Sequence, residues 1–291
     1  MKQITYFFAL LMLTACADQT TKVEEPPTTT TVSTEDSLQK ANERAAILSS
    51  KEHQAFLGAY VGMFEGVEVK KDGSWVNKIN ISIDKIDNGK IYGHSVVAGN
   101  DRPFEGIFDP SGTKIEVKEP GDDKYDGVFV LNFNAARNGL SGTWAANDSK
   151  LKVTNRTFEL EKKKIAYNKD LDLPEDVLWE FLYDNSREFD HEGEMLTEDV
   201  VAFNASNSVL KKEDIENMYK GDLEVMRNAI YARHGYSFKN RKMRYVFDQV
   251  DWYIPVHTDV RSDLTDLEKK NIDLLKRYEG HAGAYYDSFG R

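Results

Sequence analysis

The sequence predicts an α+β fold, in which an N-terminal antiparallel β-barrel-like domain is followed by a small helical domain. Residues 52–167 contain short runs of alternating apolar and polar residues separated by Gly, Asn, Asp and Pro, which is typical of strands joined by tight turns. After residue 167 the turn-rich pattern stops, and apolar residues recur at helical spacing. The helical region is therefore expected to span residues 168–291.

Eight strands are expected in the first domain. Ile79, Ile81 and Ile83 alternate with polar residues, which predicts a strand with one apolar face. Asn88-Gly89 and Asn138-Gly139 are typical of tight hairpin turns. Consecutive hairpins favour an up-and-down barrel, since closure removes exposed strand edges. The predicted strands are residues 56–64, 76–86, 90–97, 103–108, 114–118, 127–134, 139–145 and 156–162.

The composition argues against several classes of protein. A formal net charge of -11 argues against a nucleic-acid partner, because binding to phosphates requires a basic surface. The single cysteine excludes a disulfide framework, a Cys-based zinc site and a CxxC redox pair. We expect no cofactor and no metal.

The first residues are typical of an export signal. Lys2 precedes an apolar run at residues 4–13, which is too short to span a bilayer as a permanent helix. The segment Leu13-Thr14-Ala15-Cys16 resembles the lipobox of bacterial lipoproteins. That resemblance implies removal of residues 1–15 and attachment of a diacylglycerol and a further acyl chain, such as palmitate, to Cys16. Ala17 then resembles the sorting pattern for the outer membrane.

Residues 16–51 are predicted to contain a flexible tether after the lipidated Cys16. Pro26-Pro27 is followed by four consecutive threonines, and large apolar residues are scarce up to residue 33. Such a segment cannot bury enough apolar surface to offset its chain entropy. Helical spacing from Glu35 onward predicts a short helix before the barrel.

Two polar segments of the barrel domain could bind ligands. Arg102 follows a Gly-Asn turn, so it could contact a ligand from a loop at the barrel mouth. Alternatively, Asn100 takes a positive φ and Arg102 pairs with Asp101 or Glu105. The second segment, residues 119–127, is rich in Asp but lacks the ligand spacing of an EF-hand. It is therefore expected to be a solvated Pro-Gly turn.

Several helices are expected in the second domain. A helix is predicted from Leu173 to Leu182, and a short one within residues 211–219. Another should begin near Asp222 and end before Gly235, in the place of a left-handed capping residue. Asn240 or Lys239 should open the next helix. Residues 265–268 form a capping box for a last helix, which is expected to close at Gly280.

The segment Tyr231-Ala232-Arg233-His234-Gly235 has a long and specific pattern around it. Residues 227–230 precede it, and Trp252-Tyr253 and residues 268–271 follow it. Together they resemble the YARHG domain, over about residues 196–280. Members of that family are typically bacterial, exported, and attached to peptidases, other envelope modules or lipoprotein anchors. The resemblance therefore implies an accessory or binding role at the cell envelope.

These patterns favour a non-catalytic, lipid-anchored envelope protein that binds a cell-wall, glycan or protein partner. His234 has no cysteine or second histidine at a spacing suited to catalysis or metal binding. Arg233 and His234 are expected to cap a helix end, with Tyr231 packed on Trp252. A shared groove for a carboxylate or sugar is the alternative. The candidate binding residues are Tyr231, Arg233, His234, Trp252 and Arg102. Two further alternatives are a small-molecule carrier that uses the barrel interior and an envelope hydrolase.

Overall fold

The computed structural model describes residues 51–68, 70, 76–175, 181–182 and 194–285. The predicted signal segment, Cys16 and the tether up to residue 50 lie outside the described residues. The barrel and the helical region belong to one compact unit, Ser49–Arg291. Within the described part of the chain, no helix is both long and apolar enough to cross a bilayer.

Eight antiparallel strands close into a barrel, as the sequence predicts. Each strand pairs with the next one, and β8 pairs with β1. The observed strand bounds lie within three residues of the predicted ones. The strands are β1 (Gly58–Gly66), β2 (Val76–Asp87), β3 (Lys90–Val97), β4 (Asn100–Ile107), β5 (Ile115–Lys118), β6 (Gly127–Phe133), β7 (Gly139–Ala146) and β8 (Asn155–Lys163).

The turn between β3 and β4 differs from the prediction. Ala98 and Gly99 carry positive φ angles of 52° and 75°, and Asn100 does not. The strand β4 therefore begins at Asn100, so that Arg102 lies within the strand and not in a loop. The predicted turn at Asn88-Gly89 is confirmed, with φ angles of 51° and 73°.

Aromatic side chains fill the barrel interior. Near the start of β1, Phe133 makes edge-on contacts with Phe56 and Tyr60, at centroid distances of 5.0 and 5.5 Å. Toward the other end, Phe64 packs against Trp144 at 5.8 Å. Such contacts between rings stabilise a core beyond the apolar area that they bury. Aromatic rings therefore pack together near the start of β1, and Phe64 and Trp144 lie toward the other end of the barrel.

The second domain is mainly helical. Its core includes Val225, Ile230, Phe247 and Leu275, all with no exposed surface. Its elements are a two-stranded ribbon of β9 (Phe181–Leu182) and β10 (Glu194–Met195), a 3₁₀ helix (Glu198–Val201), α1 (Lys212–Ile215), α2 (Lys220–Arg233), α3 (Arg241–Phe247) and α4 (Asp266–Tyr285).

Two helix predictions are wrong. Phe181–Leu182 form a strand, so the helix predicted from Leu173 to Leu182 does not reach its expected end; residues 176–180 lie outside the described residues. Helix α4 continues past Gly280 to Tyr285. A helical glycine costs only about 1 kcal/mol, and the extra turn buries Ala282, which is 3% exposed.

The helix ends follow the predicted signals. At the end of α2, Gly235 has a φ of 73°. The Gly235 N–H donates to Ala232 O at 2.9 Å, and the Tyr236 N–H donates to Tyr231 O at 3.0 Å. These two bonds make a Schellman motif. At the start of α4, the Glu268 N–H donates to Thr265 Oγ1 at 3.2 Å, and the Thr265 N–H donates to a Glu268 oxygen at 2.9 Å, which confirms the capping box.

The helical region packs against the outside of the barrel. Lys78 of β2 donates from its backbone N–H to Asp248 at 2.9 Å and from Nζ to Val250 O at 2.7 Å. The Gly99 N–H, in the β3–β4 turn, donates to Ser237 Oγ at 2.9 Å. These bonds hold the segments just before and just after α3 beside the barrel.

Candidate functional site

A cavity of about 570 Å³ lies between one end of the barrel and the helical region. Its barrel wall includes the inward-facing rings of Phe64, Phe129 and Trp144. Residues 150–153, in the β7–β8 connection, form part of its rim. The helical region contributes Lys239 and residues of α3. A volume of this size lies within the range of pockets that hold small ligands.

The cavity is strongly basic although the chain is acidic. Seven of the described lining residues are Lys or Arg, and one, Glu119, is acidic. The whole chain carries a formal charge of -11, so the ratio of cations to anions in this lining is the reverse of that in the chain as a whole. Both domains contribute them. They are Arg102, Lys150, Lys152 and Arg156 from the barrel, and Lys239, Arg241 and Arg244 from the helical region.

Arg156 is the most buried of these cations, with 8% of its surface exposed. It faces the barrel interior because it alternates in register with the inward-facing Phe158 and Leu160 of β8. Its Nη1 donates to Phe64 O at 2.8 Å, and its guanidinium lies 5.0 Å from the centroid of the Phe64 ring. Burial, and then the positive charge of Arg244, lower the pKa of Arg156 to about 10.

Arg244 of α3 faces the same cavity from the other domain. Its Nη1 donates to Lys239 O at 2.5 Å and to Phe238 O at 3.3 Å. Its Nε is buried and has no hydrogen-bond partner among the described residues. Burial lowers the pKa of Arg244, Asp248 opposes this shift, and Arg241 adds to it. A buried donor without a partner costs free energy, so a ligand that accepted this bond would be favoured.

Glu119 is the one described carboxylate in the cavity wall. Its oxygens accept hydrogen bonds from Gly127 N at 2.7 Å, Ser95 Oγ at 3.1 Å and Trp144 Nε1 at 3.2 Å. Burial raises the pKa of Glu119, and these bonds oppose the shift. Because three donors already occupy its oxygens, Glu119 holds Trp144 and Ser95 in place at the cavity wall.

Arg102 lies in this cavity, but its partners are not the predicted ones. Its Nε lies 3.1 Å from Asp126 and its Nη2 lies 3.5 Å from Asp123, whereas Asp101 or Glu105 was expected. Asp126 also accepts from Gly121 N at 2.8 Å and from Asp123 N at 3.1 Å. The acidic turn is thus folded around Asp126 and tied to β4 by Arg102.

His234 occupies a separate site on the helical domain. Its Nε2 lies 2.9 Å from Glu268, and its ring stacks on Tyr167 at a centroid distance of 4.2 Å. The Tyr167 hydroxyl donates to the other oxygen of Glu268 at 3.1 Å. Tyr167 lies just beyond β8, so this cluster ties the connection between the two domains to the start of α4.

Arg233 and Trp252 hold the same connection. Arg233 Nε donates to Leu171 O at 2.7 Å, and Trp252 Nε1 donates to Asp172 O at 2.7 Å. We call residues 167–172 the strap. Asn204 adds a bond to Lys169 O at 3.0 Å. Arg233 was expected to cap its own helix, but its side chain instead binds a carbonyl of the strap.

The five candidate binding residues therefore fall in different places. Arg102 lies in the basic cavity. Arg233, His234 and Trp252 line a smaller cavity of about 180 Å³ beside the strap. Tyr231 lies in neither set of lining residues and contacts Tyr236, at 6.1 Å between ring centroids. The lipidation residue, Cys16, lies outside the described residues.

Arg156 and Arg244 are site residues that sequence reasoning missed. A signal for Arg156 was present, because it falls in the inward register of β8, where a charged residue is unusual. Arg244 is one of several basic residues in α3, and its sequence position carries no comparable signal. Elsewhere in the described chain, no cluster of three or more His, Cys, Asp or Glu side chains could hold a metal ion.

Comparison with known proteins identifies one domain. Residues 198–280 match the YARHG domain, which agrees closely with the 196–280 predicted from sequence. The match covers less than a third of the chain and includes α2, α3 and most of α4. This domain is typical of extracellular or envelope proteins and suggests a binding role there. Comparison of the chain with curated proteins and with solved structures gave no match.

Proposed function

We propose that this chain is a non-catalytic lipoprotein of the cell envelope, and that its basic cavity binds an envelope component. The proposal rests on the observation that residues of both the barrel and the YARHG domain line the cavity. Arg156 comes from the barrel and Arg244 from the YARHG domain, and both face the same space. A site built by two domains needs both of them, which gives a reason for their joint presence in one chain.

The lining of the cavity favours an anionic partner. Seven of the described lining residues are cations and one is a carboxylate, and one of the seven, Arg102, is already paired with Asp126 and Asp123. Walls of low polarity, such as Phe64 and Trp144, strengthen the attraction by reducing screening. Anionic groups occur in cell walls, glycans and proteins, so the cavity is compatible with each of the three partner classes that the sequence suggests.

The proposed anchor is a lipid on Cys16, with residues 17–50 included in the tether and the outer membrane as the expected location. Several acyl chains give stable attachment, because each buried CH₂ contributes about 0.8 kcal/mol. The folded domains would then be displayed away from the bilayer. We expect the wild-type chain to incorporate labelled palmitate in bacterial cells and to fractionate with membranes. Absence of label, or equal labelling of Cys16→Ser, would contradict the anchor.

A small-molecule carrier is the alternative function that one observation favours. Part of the cavity wall consists of inward-facing barrel residues, among them Ser95 and Phe129. A ligand in the cavity would therefore enter the mouth of the barrel. The aromatic packing around Phe133 fills the other end of the barrel, so such a ligand would stay near the mouth.

The binding proposal is tested by co-sedimentation of the full chain, in mild detergent, with purified peptidoglycan. Lys150→Glu with Lys239→Glu reverses two exposed charges at the cavity. Lys164→Glu with Lys276→Glu is the matched control, since it changes the net charge equally at exposed positions outside the cavity lining. We expect saturable pelleting of the wild type and the control, and weaker pelleting of the cavity variant.

The same comparison separates the possible partners. If peptidoglycan pellets none of the proteins, isolated envelope glycans and envelope proteins are tested with the same four substitutions. Equal binding by the cavity variant and the control, to whichever partner binds, would contradict the location of the site.

A further inference from the structure

Two guanidinium groups line the cavity, one from a barrel strand and one from the helical region. Arg156 and Arg244 carry these groups, and the charge of Arg244 is close enough to affect the ionisation of Arg156. An anion bound between the two guanidinium groups would be attracted by both, and the attraction is stronger in a partly buried place than in water. Among the described residues the buried Nε of Arg244 has no hydrogen-bond partner, so it is a further donor on the same side chain. The donors and charges of the two arginines therefore favour a ligand with several acceptor atoms and more than one negative charge.

The apolar part of the cavity defines the rest of the ligand. Phe64 and Trp144 lie on the wall beside Arg156, so a group attached to the anion would contact ring faces or edges. The volume of about 570 Å³ exceeds that needed for a bare inorganic anion. Glu119 is the described carboxylate in the wall, and Ser95, Gly127 and Trp144 already bond to it. The Glu119 carboxylate therefore positions these residues of the wall, and its oxygens accept hydrogen bonds from the protein itself.

We infer that the cavity binds a phosphate monoester, with the phosphate between Arg156 and Arg244 and the esterified group against Phe64 and Trp144. This inference rests on the proposed binding function and names the ligand class. A phosphate monoester carries a charge of about -1.5 to -2 at neutral pH and three acceptor oxygens. A carboxylate carries one charge and two oxygens, and so satisfies fewer donors. The planar donor fork of arginine suits phosphate oxygens.

Such a phosphate could belong to a soluble sugar phosphate or to a phosphorylated glycan of the envelope. Titration calorimetry on the full chain in detergent measures the affinity for small probes that differ in their anionic group. The probes are glucose 6-phosphate, inorganic phosphate, glucuronate and glucose. We expect glucose 6-phosphate to bind more tightly than inorganic phosphate or glucuronate, and glucose not to bind. Competition between glucose 6-phosphate and isolated phosphorylated glycan then tells whether the polymer uses the same site.

Arginine variants test the placement of the phosphate. Arg244→Gln should weaken binding of glucose 6-phosphate by roughly 30-fold, since loss of one partner from a buried charge pair has a large effect on affinity. Arg156→Lys keeps the charge but loses the fork, and should weaken binding by about tenfold. Arg277→Gln, at an exposed position of α4, is the control and should bind as the wild type does. Thermal unfolding of each variant verifies that the fold persists.

Two results would overturn the inference. One is equal affinity for glucose 6-phosphate and glucose, or no binding of either, by a chain that still binds envelope material; the proposed function would then stand with a different ligand class. The other is unchanged affinity of folded Arg244→Gln for glucose 6-phosphate. If glucose 6-phosphate binds as expected but no envelope material binds, the ligand class is supported and the envelope target is wrong.

Discussion

Glu268 is a single residue on which three parts of the chain depend. Its side chain is fully buried, and its oxygens contact His234 of the YARHG motif, Tyr167 of the strap and Thr265 at the start of α4. Burial alone would raise its pKa, but the bonds from His234, Thr265 and Ser206 prevail and lower the pKa to about 2. The ionised carboxylate is therefore favoured in the folded protein relative to the unfolded chain.

The pH dependence of stability follows from this shift. Because the folded pKa is depressed, the contribution of Glu268 is fully present above about pH 4.5 and is lost as the pH falls toward 2. We expect Glu268→Gln to lower the free energy of unfolding by about 3 kcal/mol near neutral pH. The difference from the wild type should shrink steadily between pH 5 and about pH 3. Urea unfolding at several pH values measures this difference.

The control is Glu159→Gln on an exposed position of β8. Surface substitutions of this kind change the free energy of unfolding by less than about 0.5 kcal/mol. A difference between Glu268→Gln and the wild type that is the same at pH 7 and at pH 3 would contradict the role given to the carboxylate charge.

Single residues also mark where sequence reasoning stopped. Arg102 was a candidate, but its partners, Asp123 and Asp126, lie in the connection between β5 and β6, whereas sequence proximity favoured Asp101 or Glu105. Arg233 and His234 were recognised by their motif, yet their partners Leu171 and Glu268 are distant in sequence. A local pattern identifies a residue type that is suited to binding, whereas the partner depends on how distant segments pack.

At the scale of elements, two glycines provide a matched test of helix geometry. Gly235 ends α2 with a φ of 73°, and an added Cβ would lie 3.1 Å from Val256 and 3.2 Å from Ile254 O. Gly280 lies within α4, and an added Cβ would meet no atom within 4 Å. The same substitution should therefore have opposite effects at the two positions.

We expect Gly235→Ala to lower the free energy of unfolding by about 1–2 kcal/mol, because the left-handed conformation is strained for alanine. Gly280→Ala should raise it by about 0.5–1 kcal/mol, since alanine is the better helix former. Thermal or urea unfolding of both variants checks the pair. Stabilisation by Gly235→Ala would contradict the Schellman assignment at the end of α2.

The strap is the element whose position depends most on the YARHG motif. Arg233→Ala removes the bond to the Leu171 carbonyl and the contact of the guanidinium with the Trp252 ring. We expect a loss of about 2–3 kcal/mol in the free energy of unfolding, because hydrogen bonds from charged groups are among the stronger ones. Limited proteolysis should show faster cleavage within residues 164–175.

Arg277→Ala, at an exposed position of α4, is the matched control for this experiment and should be cleaved as slowly as the wild type. Equal cleavage of Arg233→Ala and Arg277→Ala would mean that the motif does not hold the strap. That result would favour the expected binding role of Tyr231, Arg233, His234 and Trp252, since their hydrogen-bond donors would be available to a ligand and not committed to the strap.

Elements differ in how well the sequence predicts them. All eight strands were predicted because alternation and turn residues are local signals, as at Ile79–Ile83 and Asn88-Gly89. The β3–β4 turn was misplaced because Asn100 has the stronger intrinsic preference for a positive φ, yet strand register puts Ala98 there. The end of α4 was misplaced because Gly280 is an effective stop signal only when the following turn gains nothing by remaining helical.

At the scale of the whole molecule, the sequence predicted a barrel followed by a helical region, but it did not predict the cavity that they line together. The cavity depends on the packing of α3 beside the barrel, which bonds such as Lys78 to Asp248 and Gly99 to Ser237 hold in place. No local sequence pattern around these four residues indicates that they contact each other. The basic lining of the cavity could not be predicted for the same reason. The overall charge of -11 gives no sign of it, since its cations come from separate parts of the sequence.

The claim that both domains build one binding site is tested most directly by separate charge reversals on the two sides. Lys150→Glu alters the barrel side and Lys239→Glu the YARHG side, and the affinity of each variant for the bound envelope material is measured by titration. We predict that each substitution alone weakens binding by about tenfold, because like charges replace complementary ones. Weakening by only one of the two, with the other equal to the wild type, would place the site on a single domain and contradict the account.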